Sequence, residues 1–298
     1  MRNLYFIGYL LVSLVLFFMP LKELIRLFLD SELYSYFPLI PVVTVFLLLR
    51  NRKAIFSDIS YSIRWGIPTA AAGMLLYWIG RGRIWVLNPN DHLSLMIFSL
   101  LICLVGGFIA FYGIKAFRKA MFPLLFLVFI VPPPTIIIEP LIHVLLVGSA
   151  ETSYRVFSIL GVPVFRQGFV FELPGIAVEV AKQCSGINST MALFITSVIA
   201  GYLFLETGWR RVALVLAIFP ITIFKNSLRI VTISLLAAYV DPIFIQNHWI
   251  HRAGGKPFFI FALLFMVPVL WLLRRSENKN IDSPPASLET QSTQSTQR

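Results

Sequence analysis

The sequence predicts an all-α, polytopic integral membrane protein, a bundle of about eight transmembrane helices, and three observations support that fold class. First, 58% of the 298 residues are hydrophobic and 13% are charged, whereas soluble domains average about 45–50% apolar and about 25% charged residues. Second, the apolar residues form runs close to the roughly 20 residues that a helix needs to cross a hydrocarbon core. Third, Lys and Arg fall between those runs, so the net charge of +11 does not gather into the water-facing stripe of a nucleic-acid-binding protein.

The apolar runs place the individual spans. The first run is followed by Pro20 to Glu23 rather than by a small-residue cleavage site, so we interpret it as a retained helix that also directs insertion. We predict one transmembrane domain over 1–275, with its core at 120–275, and a disordered cytoplasmic tail over 276–298, which is rich in Ser, Thr, Gln and Pro. The spans lie near residues 4–20, 36–49, 65–80, 93–113, 120–137, 186–205, 211–239 and 256–273.

Basic clusters in the short loops predict the orientation, because Lys and Arg resist translocation. Both termini are expected in the cytoplasm, since four clusters then alternate correctly: Arg50/Arg52/Lys53, Lys115/Arg118/Lys119, Arg210/Arg211 and Arg274/Arg275. Seven of the eleven basic residues expected outside fall between residues 150 and 256, where they either line one external site or snorkel from helix ends to the interface. They are Arg155, Arg166, Lys182, Lys225, Arg229, Arg252 and Lys256.

Two segments depart from simple spans. Pro132 to Pro134 should end the fifth helix, and the proline-interrupted segment from Thr135 to Gly148 is expected to be interfacial or re-entrant. The segment from Gly161 to Ile187 is expected to form a short extracytoplasmic hairpin before the candidate nucleophile, because its alternating apolar residues flank a glycine. These residues are Val162, Val164, Phe169 and Val170, with Gly168.

Cys184 is the candidate nucleophile. Cys103 lies within an apolar run, so only Cys184 stands in a polar segment, Lys182-Gln183-Cys184-Ser185-Gly186, and no disulfide framework is implied. The segment leads into the sixth span, and the free N–H groups of a helix N-terminus stabilise a thiolate, as does the charge of Lys182. The same N–H groups could hold the oxyanion of a tetrahedral intermediate. The alternative is an inert thiol at a membrane edge.

Arg229 is the second candidate, because it lies between apolar stretches of the seventh span. A guanidinium at such depth costs about 2.5–3.5 kcal/mol and normally faces a protein interior with a partner. It could hold a thiolate, an oxyanion or a carboxylate with its fork of donors. Asn226, one turn earlier, would face the same side and orient it. The alternative is a packing pair with Glu139 or another buried acidic residue.

Two histidines near the last span could carry a proton between a thiol and a leaving amine. His251 is preferred over His248, because Gly254 and Gly255 leave room for backbone to approach, whereas His248 adjoins Trp249. A zinc site built from His248, His251, His143 and Asp241 is the rival arrangement. Its spacing is poor, since His248 and His251 are three residues apart and the chain contains no His-Glu-Xaa-Xaa-His motif.

Three motifs in this order resemble the exosortase/archaeosortase family of membrane-embedded, transpeptidase-like cysteine proteases. They are Gln183-Cys184-Ser185-Gly186-Ile187, Asn226-Ser227-Leu228-Arg229-Ile230, and His251 followed by Gly254-Gly255. The stretch from Tyr34 to Pro41 is also similar to an early family segment, with Tyr36 in place of histidine and Phe37 in place of glycine. The archaeal branch tends to have arginine as its third residue and Arg252 adjoins His251, but His251 in register favours a bacterial exosortase.

The resemblance implies an enzyme that cleaves C-terminal sorting signals of exported proteins, which in bacteria are typically of the PEP-CTERM type: a short motif, a transmembrane helix and a basic cluster. By position, Cys184 would be the nucleophile, Arg229 the stabilising cation and His251 the proton carrier, acting at the outer face of the inner membrane without a cofactor. The partners are such substrates and the lipid bilayer, with no nucleic acid. A transporter that binds an anion at Arg229, or an envelope-assembly subunit, is the alternative.

Overall fold

The computed structural model describes residues 1–82, 87–180, 185–241, 243–246 and 255–282, which are mostly helical and include one small sheet. The helices are α1 (Arg2–Leu16), α2 (Phe18–Asp30), α3 (Leu39–Arg50), α4 (Arg52–Ile55), α5 (Ile63–Arg81), α6 (Pro89–Lys119), α7 (Met121–Phe126), α8 (Thr135–Ile159), α9 (Ile187–Phe204), α10 (Gly208–Tyr239), α11 (Ile243–Gln246) and α12 (Gly255–Asp282). Short 3-10 turns cover Glu32–Tyr34 and Leu127–Ile130. The strands are β1 (Phe165–Gln167), β2 (Val170–Leu173) and β3 (Ile176–Glu179).

Within the described part of the chain, five helices are long and apolar enough to cross a membrane: α6, α8, α9, α10 and the Phe258–Glu277 part of α12. The pair α1 and α2, bent by 72°, makes a sixth if it is one broken span. These helices confirm the prediction of an all-α polytopic membrane protein. The count of eight stays a prediction, because α5, at the predicted span 65–80, is not among these helices, and α3 and the apolar helix Met121–Ile130 are shorter than a full span.

One segment is a regular helix where the sequence predicts an interfacial or re-entrant piece. α8 runs from Thr135 to Ile159 with Pro140 inside it, and it is a candidate span. Its start is held by Asp91, whose carboxylate accepts hydrogen bonds from the N–H and hydroxyl of Thr135 at 2.6 and 2.8 Å. Pro140 removes one backbone donor, a loss that membrane helices tolerate. Residues 135–148 are therefore part of a regular helix, and their interfacial or re-entrant placement stays a prediction.

The predicted span at 120–137 is also shorter than expected, because its helical part ends at Ile130. The following prolines are held by side chains from the first turns of α6. Asn90 Nδ2 donates to the Pro133 carbonyl at 3.0 Å, and Ser94 Oγ donates to the Pro132 carbonyl at 2.7 Å. These contacts give hydrogen-bond donors to two backbone carbonyl groups that lie outside the helices, and they stabilise the break between α7 and α8.

The chain divides into two compact units, Met1–Leu141 and Ile142–Arg298. In the first unit, glycines let α5 and α6 approach closely. A Cβ added to Gly66 would lie 2.3 Å from the backbone N of Ala110, and one added to Gly73 would lie 2.7 Å from Cys103 Sγ. Small residues at such crossings are typical of membrane helix packing. Cys103 is therefore a packing residue, only 3% exposed. The assignment of a single transmembrane domain stays a prediction.

In the second unit, α9, α10 and α12 pack together around apolar clusters such as Leu193, Ile218 and Ala262. α10 is one continuous helix of 32 residues. Antiparallel pairing joins β1 to β2 and β2 to β3, where the sequence predicts a hairpin. A separate core, containing Phe157, Phe171, Ile230 and Val231, packs this sheet against α8 and the C-terminal half of α10.

The last helix continues beyond the boundary expected at residue 275, since α12 reaches Asp282. The extension is stabilised by Glu277, which is 5% exposed. Its carboxylate accepts hydrogen bonds from the backbone N–H groups of Glu206 and Thr207 at 3.1 and 2.8 Å, and from the Thr207 hydroxyl. Arg210, also buried, forms an ion pair with the Glu277 carboxylate at 3.0 Å. Residues 283–298 lie outside the described residues.

Replacing Glu277 with alanine should lower the free energy of unfolding by about 3–5 kcal/mol, because it leaves the buried Arg210 charge without its partner. The measurement is denaturant unfolding of the purified protein in detergent. Glu206→Ala is the matched control, since its side chain is exposed in the same turn, and it should change stability by less than about 0.5 kcal/mol. Equal effects of the two substitutions would contradict this role of Glu277.

Candidate active site

The structure describes part of the predicted site. Ser185, Gly186, Asn226 and Arg229 are described in full, and the backbone of Gly255 begins α12. Five predicted site residues lie outside the described residues: Lys182, Cys184, His248, His251 and Gly254. The structure therefore describes the two residues that follow Cys184 in the sequence and the Asn226–Ile230 motif on α10. The roles of the other site residues stay predictions.

The chain turns sharply between Cys184 and α9. Gly186 is the N-cap of α9 and has a φ of 77°, in the left-handed region that favours glycine. Its carbonyl accepts hydrogen bonds from the backbone N–H and the hydroxyl of Thr190, at 3.0 and 2.9 Å, and from Ser189 Oγ at 2.9 Å. The helix thus begins at Ile187, three residues after Cys184, where the sequence predicts a helix N-terminus.

Asn226 fixes this turn from the side of α10. A Cβ added to Gly186 would lie 3.1 Å from both Cγ and Oδ1 of Asn226. Asn226 is fully buried and donates from Nδ2 to Ser149 Oγ on α8 at 3.1 Å. Asn226, the first residue of the α10 motif, therefore contacts both α8 and the turn at the start of α9. Its predicted role in orienting Arg229 stays a prediction.

A polar seam between α8 and α10 supports this arrangement, and the sequence reasoning missed it. Ser227 Oγ donates to the Ser149 carbonyl at 3.0 Å, and Ser153 Oγ approaches the Ser227 carbonyl at 3.5 Å. All three serines are fully buried. The signal was the spacing of Ser149 and Ser153, four residues apart and so on one face of a helix, but it was missed because no helix was predicted at these two residues.

Of the seven basic residues between 150 and 256 that are predicted to lie outside, four have described side chains, and they separate into two groups. Arg155 and Arg166 both pair with Glu151, at 3.2 and 2.8 Å. Lys225 is instead 3% exposed in the middle of α10 and donates to Ser189 Oγ in the first turn of α9. Arg229 follows one turn later on α10 and acts electrostatically on Lys225. The start of α9 therefore lies beside the ammonium of Lys225, whose burial costs about 2.5–3.5 kcal/mol at membrane depth.

Tyr36, which replaces the family's early histidine, cannot carry a proton near neutral pH. It is 6% exposed and packs edge-on against Phe37, with ring centroids 5.1 Å apart. The ordinary pKa of a tyrosine hydroxyl, about 10, already keeps it protonated near neutral pH. The departure from the family pattern at this position therefore removes a titratable group rather than replacing it.

The described residues contain no group of three or more His, Cys, Asp or Glu side chains arranged to hold a metal ion. Of the four residues of the rival zinc arrangement, His143 and Asp241 are described, whereas His248 and His251 lie outside the described residues. The chemistry that the described geometry supports is stabilisation of negative charge, because a helix N-terminus beside a buried ammonium favours an anion.

Replacing Gly186 with alanine should reduce the catalytic rate of the candidate active site by about tenfold or more. The added Cβ would push the turn away from Asn226, and a shift of the adjacent reacting group costs alignment with its substrate. Gly168→Ala is the matched control. Gly168 also has a positive φ, of 61°, but a Cβ added there has open space. Both substitutions should cost about 1–2 kcal/mol of backbone strain, measured by unfolding in detergent. An equal loss of activity in both variants would show that the contact with Asn226 is unimportant.

Comparison with known protein families gives one match that covers most of the chain. The family described as transmembrane exosortase (Exosortase_EpsH) has a model that matches residues 28–268. The matched region contains Cys184, Arg229 and His251. No curated protein and no solved structure is significantly similar to this chain.

Proposed function

Because the chain belongs to the transmembrane exosortase family, we propose that it is a membrane cysteine protease and transpeptidase acting on exported proteins. Its substrates carry a C-terminal sorting signal of the PEP-CTERM type, with a short motif, a transmembrane helix and a basic cluster. The enzyme lies in the bacterial inner membrane with eight spans and both termini in the cytoplasm. Its site, preceded by the β1–β2 hairpin, faces the exterior.

One observation carries this proposal above the others: the two residues that follow Cys184 in the sequence lead into a glycine turn that packs against Asn226, and Lys225 contacts the first turn of the following helix. A nucleophilic thiol needs a positive local potential, which stabilises the thiolate. Acyl transfer also needs donors for an oxyanion. The start of α9 offers backbone N–H groups, and α10 offers the guanidinium of Arg229.

The reaction proceeds in two steps. The thiolate of Cys184 attacks the carbonyl carbon of the scissile peptide bond, and the C–N bond breaks as His251 gives a proton to the leaving amine. The C-terminal piece, with its membrane helix, departs. Water or an acceptor amine then attacks the thioester, the S–C bond breaks, and a proton returns to His251. Water gives hydrolysis and an amine gives transpeptidation.

The experiment that tests this function uses the purified full-length protein in liposomes. The second component is an exported protein that ends in a short motif, an apolar helix and an arginine cluster, with one tag before the motif and another after the helix. We expect the two tags to separate, with cleavage on the N-terminal side of the helix. A substrate that stays intact with folded enzyme, across several such exported proteins, would overturn the proposal.

A further inference from the structure

A sharp bend separates α1 from α2. The two helices meet at Phe17 and are bent by 72°. Pro20 explains the bend, because it has no N–H group to donate to the carbonyl of Leu16, four residues earlier. That carbonyl instead accepts a hydrogen bond from the hydroxyl of Tyr77 on α5, at 3.3 Å. The bend is therefore fixed against α5, and α2 runs across the direction of α1.

The end of α5 sets the level of this bend in the membrane. The Tyr77 hydroxyl also accepts a hydrogen bond from Arg81 Nη1, at 3.4 Å. Trp78 is exposed in the last turn of α5, and the Arg81 guanidinium lies 5.8 Å from the centre of its ring. Tryptophan and arginine together at a helix end are typical anchors at the membrane–water interface. α2 therefore begins at the level of an interface, on the side that the predicted orientation places outside.

α2 has three distinct faces. One face packs on the protein, where Leu24 is buried and Leu21 contacts the core cluster that contains Met96 and Leu100 of α6. The second face is apolar and exposed, and the third is charged and exposed. The residues of the second face are Phe18, Ile25 and Leu29, and those of the third are Lys22, Glu23, Arg26 and Asp30.

The two cations of α2 lie beside its exposed apolar face. Lys22 follows Phe18 by four residues and Arg26 follows Lys22 by four, so the three side chains lie next to one another around the helix. Glu23 and Asp30 lie farther around, beside the face that packs on the protein. Among the described residues, none of the four charged side chains forms an ion pair. Lys22 and Arg26 are therefore available to anionic groups at the border of an apolar surface.

This pattern does not fit a helix that crosses the hydrocarbon core or one that lies in water. In the core, each of the four charged side chains would cost about 2.5–3.5 kcal/mol. In water, Phe18, Ile25 and Leu29 would form an exposed apolar patch. A helix in the interface meets both requirements, because its apolar face enters the acyl chains while its cations reach the lipid phosphates.

We propose that α2 lies in the plane of the membrane interface, with Phe18, Ile25 and Leu29 among the acyl chains and Lys22 and Arg26 at the lipid phosphates. The partner of this surface is the bilayer itself. α1 and α2 then do not form one broken span, and α2 adds no crossing of the membrane. The inference does not rest on the proposed reaction, since no residue of α2 belongs to the candidate active site.

Spin labels on α2 test this proposal in liposomes that contain the full-length protein. Each label is attached to one introduced cysteine in a Cys184→Ala background, and that background alone measures any labelling of the buried Cys103. Relaxation of the label is compared for oxygen, which concentrates among acyl chains, and for a water-soluble nickel complex. We expect the ratio of oxygen to nickel accessibility to be about fivefold or more higher in Ile25→Cys than in Arg26→Cys, one residue later.

Two further positions calibrate the measurement. Phe98→Cys is the reference for acyl chains, because Phe98 is exposed on α6, a candidate span. Lys53→Cys is the reference for water, because Lys53 is exposed on the short helix α4. If labelled Ile25→Cys does not fold, Leu29→Cys replaces it, since Leu29 belongs to the same face.

Three results would overturn the proposal. A high nickel accessibility at both α2 positions would place the helix in water. A high oxygen accessibility at both would place it within the hydrocarbon core, as part of a broken span. Low accessibility of the Ile25→Cys label to both agents would show that a protein surface, such as a second copy of this chain, covers the apolar face instead of lipid.

Discussion

Replacing Cys184 with alanine should reduce cleavage of a sorting signal by about 10⁴-fold or more, because a covalent mechanism has no route without its nucleophile. The measurement is separation of the two tags on a substrate in liposomes. Cys103→Ala is a matched control. That cysteine lies in the α5–α6 contact, where its Sγ approaches the Ala70 carbonyl at 3.4 Å, so its loss should affect packing and leave cleavage within about threefold of the unsubstituted enzyme.

Cleavage at a normal rate by a folded Cys184→Ala variant would contradict the covalent mechanism. It would favour the alternatives raised by the sequence, since neither a transporter nor an envelope-assembly subunit needs this thiol. Loss of cleavage in both cysteine variants would indicate a folding defect instead. For that reason, the elution profile in detergent and the unfolding midpoint of each variant are measured beside its activity.

Replacing Arg229 with glutamine should reduce cleavage by about 10²–10³-fold, the usual effect of removing a donor that stabilises an oxyanion. Arg229→Lys should retain part of the activity, because the charge remains while the fork of donors is lost. Arg229→Gln should also lower the cleavage rate at saturating substrate, since the oxyanion forms only in the transition state. Initial rates at several substrate concentrations separate that effect from a loss of binding.

Arg155→Gln is the matched control for Arg229→Gln. The Arg155 side chain is 72% exposed and pairs with Glu151 on the adjacent turn of α8, so the same change of charge should leave cleavage nearly unaffected. Equal losses in the two variants would indicate a general effect of net charge on a membrane-bound substrate. A normal rate in Arg229→Gln would remove Arg229 from the reaction.

Several features of the fold follow from sequence patterns because local physics dominates them. The apolar runs predict membrane helices, since a hydrocarbon core rejects polar backbone. The start of α9 could be predicted because Gly186 permits a left-handed turn before an apolar helix. Arg229 could be singled out because a guanidinium within an apolar run is rare without a function. Each of these inferences depends only on the residue itself, its neighbours in the sequence and the surrounding membrane.

Other features depend on contacts between segments distant in sequence, and patterns do not show them. The first half of α8 was expected to be broken at Glu139, Pro140 and His143, whereas it is a regular helix whose start is held by Asp91, 44 residues before Thr135. The extension of α12 depends on Glu277 meeting Arg210, 67 residues away. The partner of Asn226 is Ser149, 77 residues away. Such pairs become visible only when the helices are assembled.

The measurement that tests the account most directly is detection of the acyl-enzyme. Enzyme and tagged substrate are mixed in liposomes, quenched with acid at short times, digested and analysed by mass spectrometry. The account predicts a substrate fragment joined to Cys184 by a thioester, released by hydroxylamine and absent in Cys184→Ala. Cleavage that proceeds with no adduct on Cys184, or with an adduct on another residue, would contradict it.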